Sequence, residues 1–434
     1  MNIWDKGFSV NDKIIQFTVG RDRELDLYLA AYDILASKAQ AVMLAKVGLI
    51  SEEEKNQLLE GLDELAHQVE NKNFTIEKDF EDVHSKIEFY LTQKYGDAGK
   101  KIHTARSRND QVLTAILLFF KDYLKQSSLK IFELIQILKN KAQEHQSDIL
   151  PGYTHFQAAM PSSFGLWFSA YAENLLSDLY FFEAAHQIAD QNPLGSGAGF
   201  GSSFPIDREL TAAEAGFSQL AVSSVGAQML RGKTEKSVAF ALSETCATLS
   251  KMAYDLVLYN SQDLGFVVLP KELTTGSSIM PHKKNPDVFE LVRARCNKIQ
   301  ALPNDITLVI NNLPSGYHRD FQTLKEILFE PMMQFMDILD ILIFAVPQIQ
   351  IEKDFINLKK YDLIYTVENI NKLIQQGTPF REAYKQVGKS VEDGSYMPLK
   401  DFHTTHVGSV HNLGLELIEK KIDDFHKKSV LFKK

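Results

Sequence analysis

Apolar residues recur every three or four positions over long stretches of the chain, which is the spacing that predicts amphipathic helices. Glycine (23 residues) and proline (13 residues) are sparse and cluster between these stretches. The first stretch carries Leu113, Ile116, Leu117, Phe120, Leu124, Ile131, Leu134, Ile135 and Leu138; the second carries Val238, Leu242, Cys246, Leu249, Ala253 and Leu256; the third carries Ile327, Leu328, Met332, Phe335, Leu339 and Leu342. Each is longer than an average globular helix of roughly 11–12 residues, so the pattern predicts a bundle of long helices.

The pattern therefore predicts an all-α fold with three helical regions. We expect an N-terminal helical domain over residues 1–100, a central long-helix bundle over 101–345 and a small C-terminal helical domain over 346–434. Long apolar stripes of this kind often continue into the core of an oligomer.

The charge balance excludes several classes of partner. The 434 residues carry a net charge of −9, with a pI near 5.8, so no basic field is present for nucleic acid or an anionic membrane. No apolar run reaches the roughly 18 residues of a membrane span, and the first residues lack the apolar core of a signal peptide.

The two cysteines, Cys246 and Cys296, have no spacing typical of a disulfide framework or a zinc site. We expect a cytoplasmic protein with buried thiols.

Residues 276–286 combine hydroxyl groups, cations and a helix start in eleven positions. Ser277 and Ser278 follow a glycine, and Lys283 lies just beyond them. Asn285 before Pro286 has the pattern of an N-cap followed by proline at the first helical position, which would direct free N–H groups towards a bound carboxylate. The segment is typical of an anion-handling catalytic loop; the alternative is a solvated turn before a surface helix.

Two further segments carry polar side chains. In residues 103–111, Arg106 and Arg108 could form paired hydrogen bonds with carboxylates, or the segment could serve only to cap the next helix through Asn109 or Asp110. Residues 151–157 are predicted to open a helix and place His155, whose pKa suits proton transfer near neutrality, beside Thr154. A structural histidine is the alternative there.

Two other patterns are not assigned a function. The glycine-rich run 195–201 departs from the G-x-G-x-x-G spacing of dinucleotide-binding loops, and no strand is predicted before it. His403, His406 and His411 lack a carboxylate or cysteine at a ligand spacing. We predict no metal and no cofactor.

Taken together, these segments resemble the aspartase/fumarase lyase superfamily. Residues 276–286 are similar to its G-S-S-x-M-P-x-K-x-N-P motif, and residues 103–111 are close to the H-T-G-R-S-R-N-D-Q motif of the argininosuccinate lyase family. Residues 81–84, 151–157, 204–208 and 317–325 support the same subfamily. The resemblance extends over nearly the whole chain up to about residue 400.

The resemblance implies a homotetramer of long helices in which segments of three chains build each active site. It implies the reversible elimination of fumarate from argininosuccinate, leaving arginine. In the family, Ser277 matches the general base, while Lys283 and Asn285 match groups that stabilise the carbanion. His155, with Thr154 beside it, matches the second proton-transfer group, and Glu290 matches the residue that orients that histidine.

The resemblance also implies a set of substrate-binding residues. Positions matching those that hold the substrate's carboxylates and its arginine part are Asp26, Ser107, Arg108, Asn109, Tyr317, Gln322 and Lys325, and His84 matches a position lining the site. Three departures bear on substrate affinity: Ala105 replaces a usual glycine, Asp22 stands where a serine is usual, and residues 4–8 differ from the family's W-G-G-R-F.

Two other readings compete with this hypothesis. One is another fumarate-releasing lyase of the superfamily, similar to adenylosuccinate lyase. The other is a structural protein without activity, because this fold has been recruited as an eye-lens crystallin. Ser277, Lys283, His155 and Glu290 are all present, which argues against loss of activity.

Overall fold

The computed structural model describes residues 11–433, apart from the side chain of Asp12; the altered motif at residues 4–8 lies outside this range. Helices dominate, which confirms the predicted all-α class. The helices are α1 (Asp12–Val19), α2 (Asp22–Leu25), α3 (Ala30–Lys46), α4 (Glu52–Glu70), α5 (Val83–Tyr95), α6 (Asp97–Lys100), α7 (Arg108–Glu144), α8 (Phe164–Ala189), α9 (Arg208–Ala215), α10 (Ser224–Gln228), α11 (Lys233–Tyr259), α12 (Asp287–Ile299), α13 (Leu302–Ile310), α14 (Thr323–Ala345), α15 (Thr366–Gln375), α16 (Phe380–Glu392) and α17 (Leu415–Lys428).

The three predicted apolar stripes lie on α7, α11 and α14, which contain 37, 27 and 23 residues. Nearly every stripe residue is buried, and Ile327 alone among them is partly exposed. Periodicity predicted these helices because side chains three and four positions apart share one face. A fourth long helix, α8, is apolar on most of its surface, so it shows a weaker contrast between its faces.

The described residues contain six short strands. They are β1 (Ile149–Thr154), β2 (Gln157–Ser163), β3 (Gln191–Asn192), β4 (Gln219–Leu220), β5 (Val267–Val268) and β6 (Gln350–Ile351). Strands β1 and β2 form an antiparallel hairpin, with Thr154 opposite Gln157. The prediction that residues 151–157 open a helix is therefore wrong; α8 begins only at Phe164, and the preceding backbone bonds across the hairpin instead.

The chain forms two compact units. The first contains the described residues up to Ser128 together with Tyr180–Glu244 and Lys298–Phe335; the second contains Leu129–Leu179, Thr245–Asn297 and residues 336–433. The division into 1–100, 101–345 and 346–434 stays a prediction. None of the helices in residues 11–433 has the length and hydrophobicity that a bilayer-spanning helix requires.

In the first unit, helices α3, α4 and α5 enclose an apolar core. Its buried residues include Ile34, Leu44, Leu62, Val83 and Leu91. Ser51 caps α4 in a reciprocal arrangement with Glu54, and the Asp82 carboxylate accepts the Ser85 N–H (2.9 Å) at the start of α5. This cap fixes the first turn of α5 and places the Asp82 carboxylate at the edge of the core.

In the second unit, the hairpin and the adjoining parts of the long helices are joined by aromatic and polar contacts. Trp167 Nε1 and Tyr171 Oη on α8 both donate to the Asp255 carboxylate on α11, at 2.9 and 2.6 Å. Cys246 and Cys296 are buried, and no disulfide joins them. Burial and the neighbouring Cys296 raise the pKa of Cys246.

Gly99 offers a test of packing in the first unit. A Cβ on this buried residue would lie 2.3 Å from the backbone carbonyl of Leu91, which cannot move without disturbing α5. We expect Gly99→Ala to lower the free energy of unfolding, measured by urea denaturation, by about 1–3 kcal/mol or more. The matched control is Gly388→Ala on α16, where no atom lies within 4 Å of the new Cβ; it should raise stability by about 0.5–1 kcal/mol. Equal effects at the two positions would contradict this account.

Candidate active site

The first unit contains a cavity of about 350 Å³ with an unusual density of charged side chains. Its lining residues are Val19, Asp22, Asp26, Glu81, Asp82, His103, Arg108, Asn109, Val112, Arg231, Tyr317, Arg319, Gln322 and Lys325. Both signs of charge line the cavity, which suits a ligand that is itself charged at more than one point.

Asp82 positions the guanidinium group of Arg108. The same carboxylate that caps α5 accepts a hydrogen bond from Arg108 Nη1. Burial opposes ionisation of Asp82, but the charges of Arg108 and His84 and the hydrogen bonds from Ser85 together outweigh it and lower the pKa of Asp82 to about 2. Arg108 is thus held by a partner that stays ionised at all physiological pH values.

A strained turn and a capping pair precede helix α7. Ala105 has φ of +60°, the left-handed region that a glycine adopts at lower cost, which gives a physical reason for the glycine usual in the family. Ser107 Oγ accepts the Asn109 N–H (3.3 Å), while the Asp110 carboxylate accepts the Ser107 N–H (2.9 Å). The predicted capping role of Asp110 and the presentation of Arg108 and Asn109 therefore occur together.

The glycine-rich run is joined to the same segment. Asp110 Oδ2 accepts the N–H groups of Gly195 (3.0 Å) and Gly197 (2.8 Å). Both glycines have positive φ, a conformation that lets two backbone donors converge on one oxygen. The run binds a carboxylate of its own chain.

His84 lies behind the cavity wall and is not among the lining residues. Only 2 % of its side chain is exposed, and its Nδ1 is 3.0 Å from Asp33 Oδ1, which also lies 3.1 Å from Gln111 Nε2. Burial lowers the pKa of His84, but the carboxylates of Asp33, Asp82 and Asp26 together outweigh burial and the net shift is upward. His84 and Asp33 thus form a buried charge pair behind the cavity wall, and the expected role of His84 in the site stays a prediction.

Lys325 is buried between two carboxylates. Its Nζ is 2.6 Å from Oδ1 of both Asp22 and Asp26. Burial alone would lower the pKa of Lys325, but the two carboxylates outweigh it and raise that pKa. Asp26 Oδ2 also accepts the Val83 N–H at 3.4 Å. The pair joins α14 to the turn that follows α2.

Residues 317–322 form another wall of the cavity. Gln322 Nε2 donates to the backbone carbonyls of Thr18 (2.8 Å) and Val19 (3.1 Å), and Arg319 Nη2 donates to Thr18 O at 2.7 Å. These bonds satisfy carbonyl groups at the end of α1, and Tyr317 lies beside them in the lining. The wall thus depends on contacts between segments about 300 positions apart.

The cavity brings together six of the eight predicted substrate-binding residues, namely Asp26, Arg108, Asn109, Tyr317, Gln322 and Lys325. Ser107 caps the helix that carries two of them, and His84 is buried. The sequence prediction did not include Glu81, Asp82, His103, Arg231 and Arg319 as ligand contacts. The motifs 81–84, 103–111 and 317–325 contain Glu81, Asp82, His103 and Arg319, so membership of a motif is a signal that could have found them. Arg231, in another part of the chain, had no such signal.

The loop 276–286 belongs to the second unit. Thr275 and Asn285 close its base by exchanging backbone hydrogen bonds of 3.2 and 2.9 Å. Ser277 Oγ accepts the Met280 N–H at 3.1 Å, and the side chain is partly buried, whereas Ser278 and Lys283 are exposed. Donation of N–H groups to a hydroxyl oxygen favours its ionised form.

The predicted N-cap at Asn285 is displaced by one residue. Helix α12 begins at Asp287, and the Pro286 carbonyl accepts the Glu290 N–H (3.2 Å), while both backbone groups of Asn285 bond to Thr275. Pro286 therefore precedes the helix, because Asn285 is held in the bridge at the base of the loop. Glu290 lies exposed in the first turn of α12.

His155 lies at the tip of the β1–β2 hairpin with Phe156. Both residues have positive φ, at +52° and +57°, and Phe156 is 71 % exposed. Such conformations cost non-glycine residues free energy, and they cluster at active sites and ligand-binding segments. Within residues 11–433 no hydrogen bond joins His155 to Glu290, so the expected pairing of these two stays a prediction.

Comparison with known proteins identifies the family of this chain. Residues 11–301 match the family described as Lyase. The argininosuccinate lyase of Phocaeicola vulgatus is 49% identical over 417 residues, covering 96% of this chain and 94% of the relative. This chain belongs to the argininosuccinate lyase family. The argininosuccinate lyase of Thermotoga neapolitana is 39% identical and covers 89% of this chain and 97% of its own.

Solved structures show that the argininosuccinate lyase family shares its fold with other lyases. EDDS lyase in complex with formate matches with a TM-score of 0.77 at 20% identity, covering 97% of this chain and 91% of that chain. A class II fumarase from Schistosoma mansoni matches with a TM-score of 0.72 at 17% identity, covering 96% and 94%. At this identity the likeness is one of fold.

Ala105 provides a test of the strained turn before Arg108. Ala105→Gly should raise the free energy of unfolding by about 0.5–1 kcal/mol, because glycine adopts φ of +60° without the penalty of a Cβ. Thermal and urea unfolding would measure the change. Ala98→Gly, in a right-handed helical conformation in α6, is the control and should lower stability by a similar amount. A loss of stability in Ala105→Gly would contradict the strain assigned to this turn.

Proposed function

We propose that this chain cleaves argininosuccinate reversibly into L-arginine and fumarate, as a carbon–nitrogen lyase of arginine biosynthesis. The observation that carries the proposal is the cavity in which Arg108, Asn109, Tyr317, Gln322 and Lys325 come together. These are the residues that family resemblance assigns to the substrate. Identity of 49% to argininosuccinate lyases over most of the chain supports the same substrate.

The reaction removes a weakly acidic proton from the carbon next to a carboxylate and expels a guanidinium nitrogen. The carbanion that forms adds a second negative charge to that carboxylate, so preorganised cations and N–H donors should supply much of the rate. We assign this stabilisation to Lys283, Asn285 and the backbone N–H groups of residues 276–286. No metal and no cofactor enter the proposed mechanism.

We assign the general base to Ser277. Its Oγ accepts backbone N–H groups within the loop, which is the environment that lowers the pKa of a hydroxyl. Ser278, the neighbouring hydroxyl, is exposed. Protonation of the leaving nitrogen is assigned to His155, beside Thr154, or to a water molecule, with Glu290 as the group that orients the histidine.

We also propose a homotetramer with active sites shared between subunits. Large apolar side chains on the long helices are more than two fifths exposed in the single chain, which is typical of surfaces that oligomerisation buries. They are Leu129, Tyr180, Phe181, Phe240, Tyr254 and Phe344. A cytoplasmic location is part of the same proposal and is supported by Cys246 and Cys296, which are buried and not joined by a disulfide.

The function is tested by fumarate release from argininosuccinate, with adenylosuccinate, aspartate and malate as parallel substrates. We expect release from argininosuccinate alone, and Ser277→Ala should lower kcat by about 10²-fold or more because the base is lost. Ser278→Ala is the matched control and should keep kcat within a few-fold. Release from another substrate alone would overturn the assignment, and no release from any would favour the structural-protein alternative.

The shared site is tested by mixing inactive variants. Ser277→Ala and Arg108→Ala each remove a group from a different segment, so a hybrid tetramer can regain some intact sites only if those segments come from different chains. We expect fumarate release to reappear after the two variants are unfolded and refolded together. Light scattering should give a mass of about four chains of 49.1 kDa. Inactive hybrids of the correct mass would place both segments in one chain.

A further inference from the structure

The charges around Lys325 do not balance. One buried ammonium group lies 2.6 Å from each of two carboxylates, those of Asp22 and Asp26, so the three groups together carry one excess negative charge when all are ionised. A buried excess charge is costly unless a partner of opposite sign completes the cluster. Because Asp22 and Asp26 line the cavity, a bound ligand can supply that partner.

Asp22 is the carboxylate that is best placed to offer the excess negative charge to a ligand. Both oxygens of Asp26 are engaged, Oδ1 by Lys325 and Oδ2 by the Val83 N–H, and the Asp82 carboxylate is taken by Arg108 and by Ser85. Asp22 uses Oδ1 for Lys325, and within residues 11–433 no hydrogen bond reaches its Oδ2. Its side chain is 17 % exposed, against 2 % for Asp26.

We propose that Asp22 is a specificity-determining carboxylate that binds the α-ammonium group of the ligand through its Oδ2. This inference rests on the proposed function, because arginine and the arginine part of argininosuccinate carry such a group. Their other cation, the guanidinium, is at the reacting bond in the substrate. The α-ammonium is therefore the cation that remains to complete the charge of the Asp22, Asp26 and Lys325 cluster.

Asp22 would also make binding depend on pH. The charged groups that act on it are Lys325 on α14, Asp26 after α2, and Asp82 before α5. Burial, with Asp26 and Asp82 in the same direction and Lys325 opposing, raises the pKa of Asp22 to about 6. The carboxylate that attracts an ammonium group is then lost as pH falls through about 6, so arginine affinity should fall in that range.

Arginine binding to the full-length protein, measured by calorimetry at several pH values, tests the inference. The probes are L-arginine and 5-guanidinopentanoate, which is arginine without its α-amino group. Asp22→Asn should weaken arginine binding at pH 7.5 by about tenfold or more, the effect of losing a charge-assisted hydrogen bond, and should leave the analogue unchanged. It should also raise KM for argininosuccinate far more than it lowers kcat, because Asp22 does not touch the reacting bond.

The control is Glu24→Gln, which removes the same charge from the same helix. Glu24 is 63 % exposed and paired with Arg21, so arginine binding should not change. In the unmodified protein, arginine affinity should fall between pH 7.5 and 5.5, and Asp22→Asn should flatten that fall. If the Asn variant folds poorly, two measurements still test the inference. They are the pH dependence of the unmodified protein and the arginine affinity of Asp22→Ser, which introduces the serine that is usual in the family.

Several outcomes would overturn the inference. The first is an arginine affinity that is unchanged in both Asp22→Asn and Asp22→Ser. The second is a variant that binds the analogue as weakly as it binds arginine. The third is a loss of arginine affinity in Glu81→Gln without one in Asp22→Asn, which would assign the ammonium group to Glu81. A protein that binds no arginine would also overturn it. Failure of the proposed function is distinct, because it appears as absent fumarate release in the unmodified protein.

Discussion

The burial of Lys325 between Asp22 and Asp26 is the interaction on which the first unit's cavity depends. It joins side chains 299 positions apart, and the three charges can leave water only because they neutralise one another in part. Removing the ammonium group would leave two uncompensated carboxylates in a buried wall. The ion pair therefore fixes where the turn after α2 meets α14 and, with it, the position of the cavity.

The neighbouring charges follow the same rule, and most have two tasks. Asp82 caps α5 and orients Arg108, while Asp110 bonds to the Ser107 N–H before α7 and holds two glycine N–H groups. A carboxylate engaged in this way keeps its partners in place before any ligand arrives. Such preorganisation is what lets hydrogen bonds and charges act on a reacting group without a cost of rearrangement.

The second unit holds its candidate groups differently, in exposed backbone turns. His155 stands at a hairpin tip with φ of +52°, and Ser277 lies in a loop whose base is closed by the bridge between Thr275 and Asn285. Neither segment forms a complete site by itself. The proposed sharing of sites between subunits gives such groups a partner surface. The buried charges of the first unit are instead paired within one chain, apart from the excess negative charge at Asp22.

The sequence by itself determined the all-α class, the long helices α7, α11 and α14, and six of the fourteen residues that line the cavity. Helical periodicity and short motifs are local signals, and local signals survive in a single sequence. Only the tertiary structure decided that residues 151–157 form a hairpin, that His84 is buried against Asp33, and that Asp22 shares Lys325 with Asp26. These outcomes depend on which distant groups meet, and the free energy of a buried charge is set by that partner rather than by its neighbours along the chain.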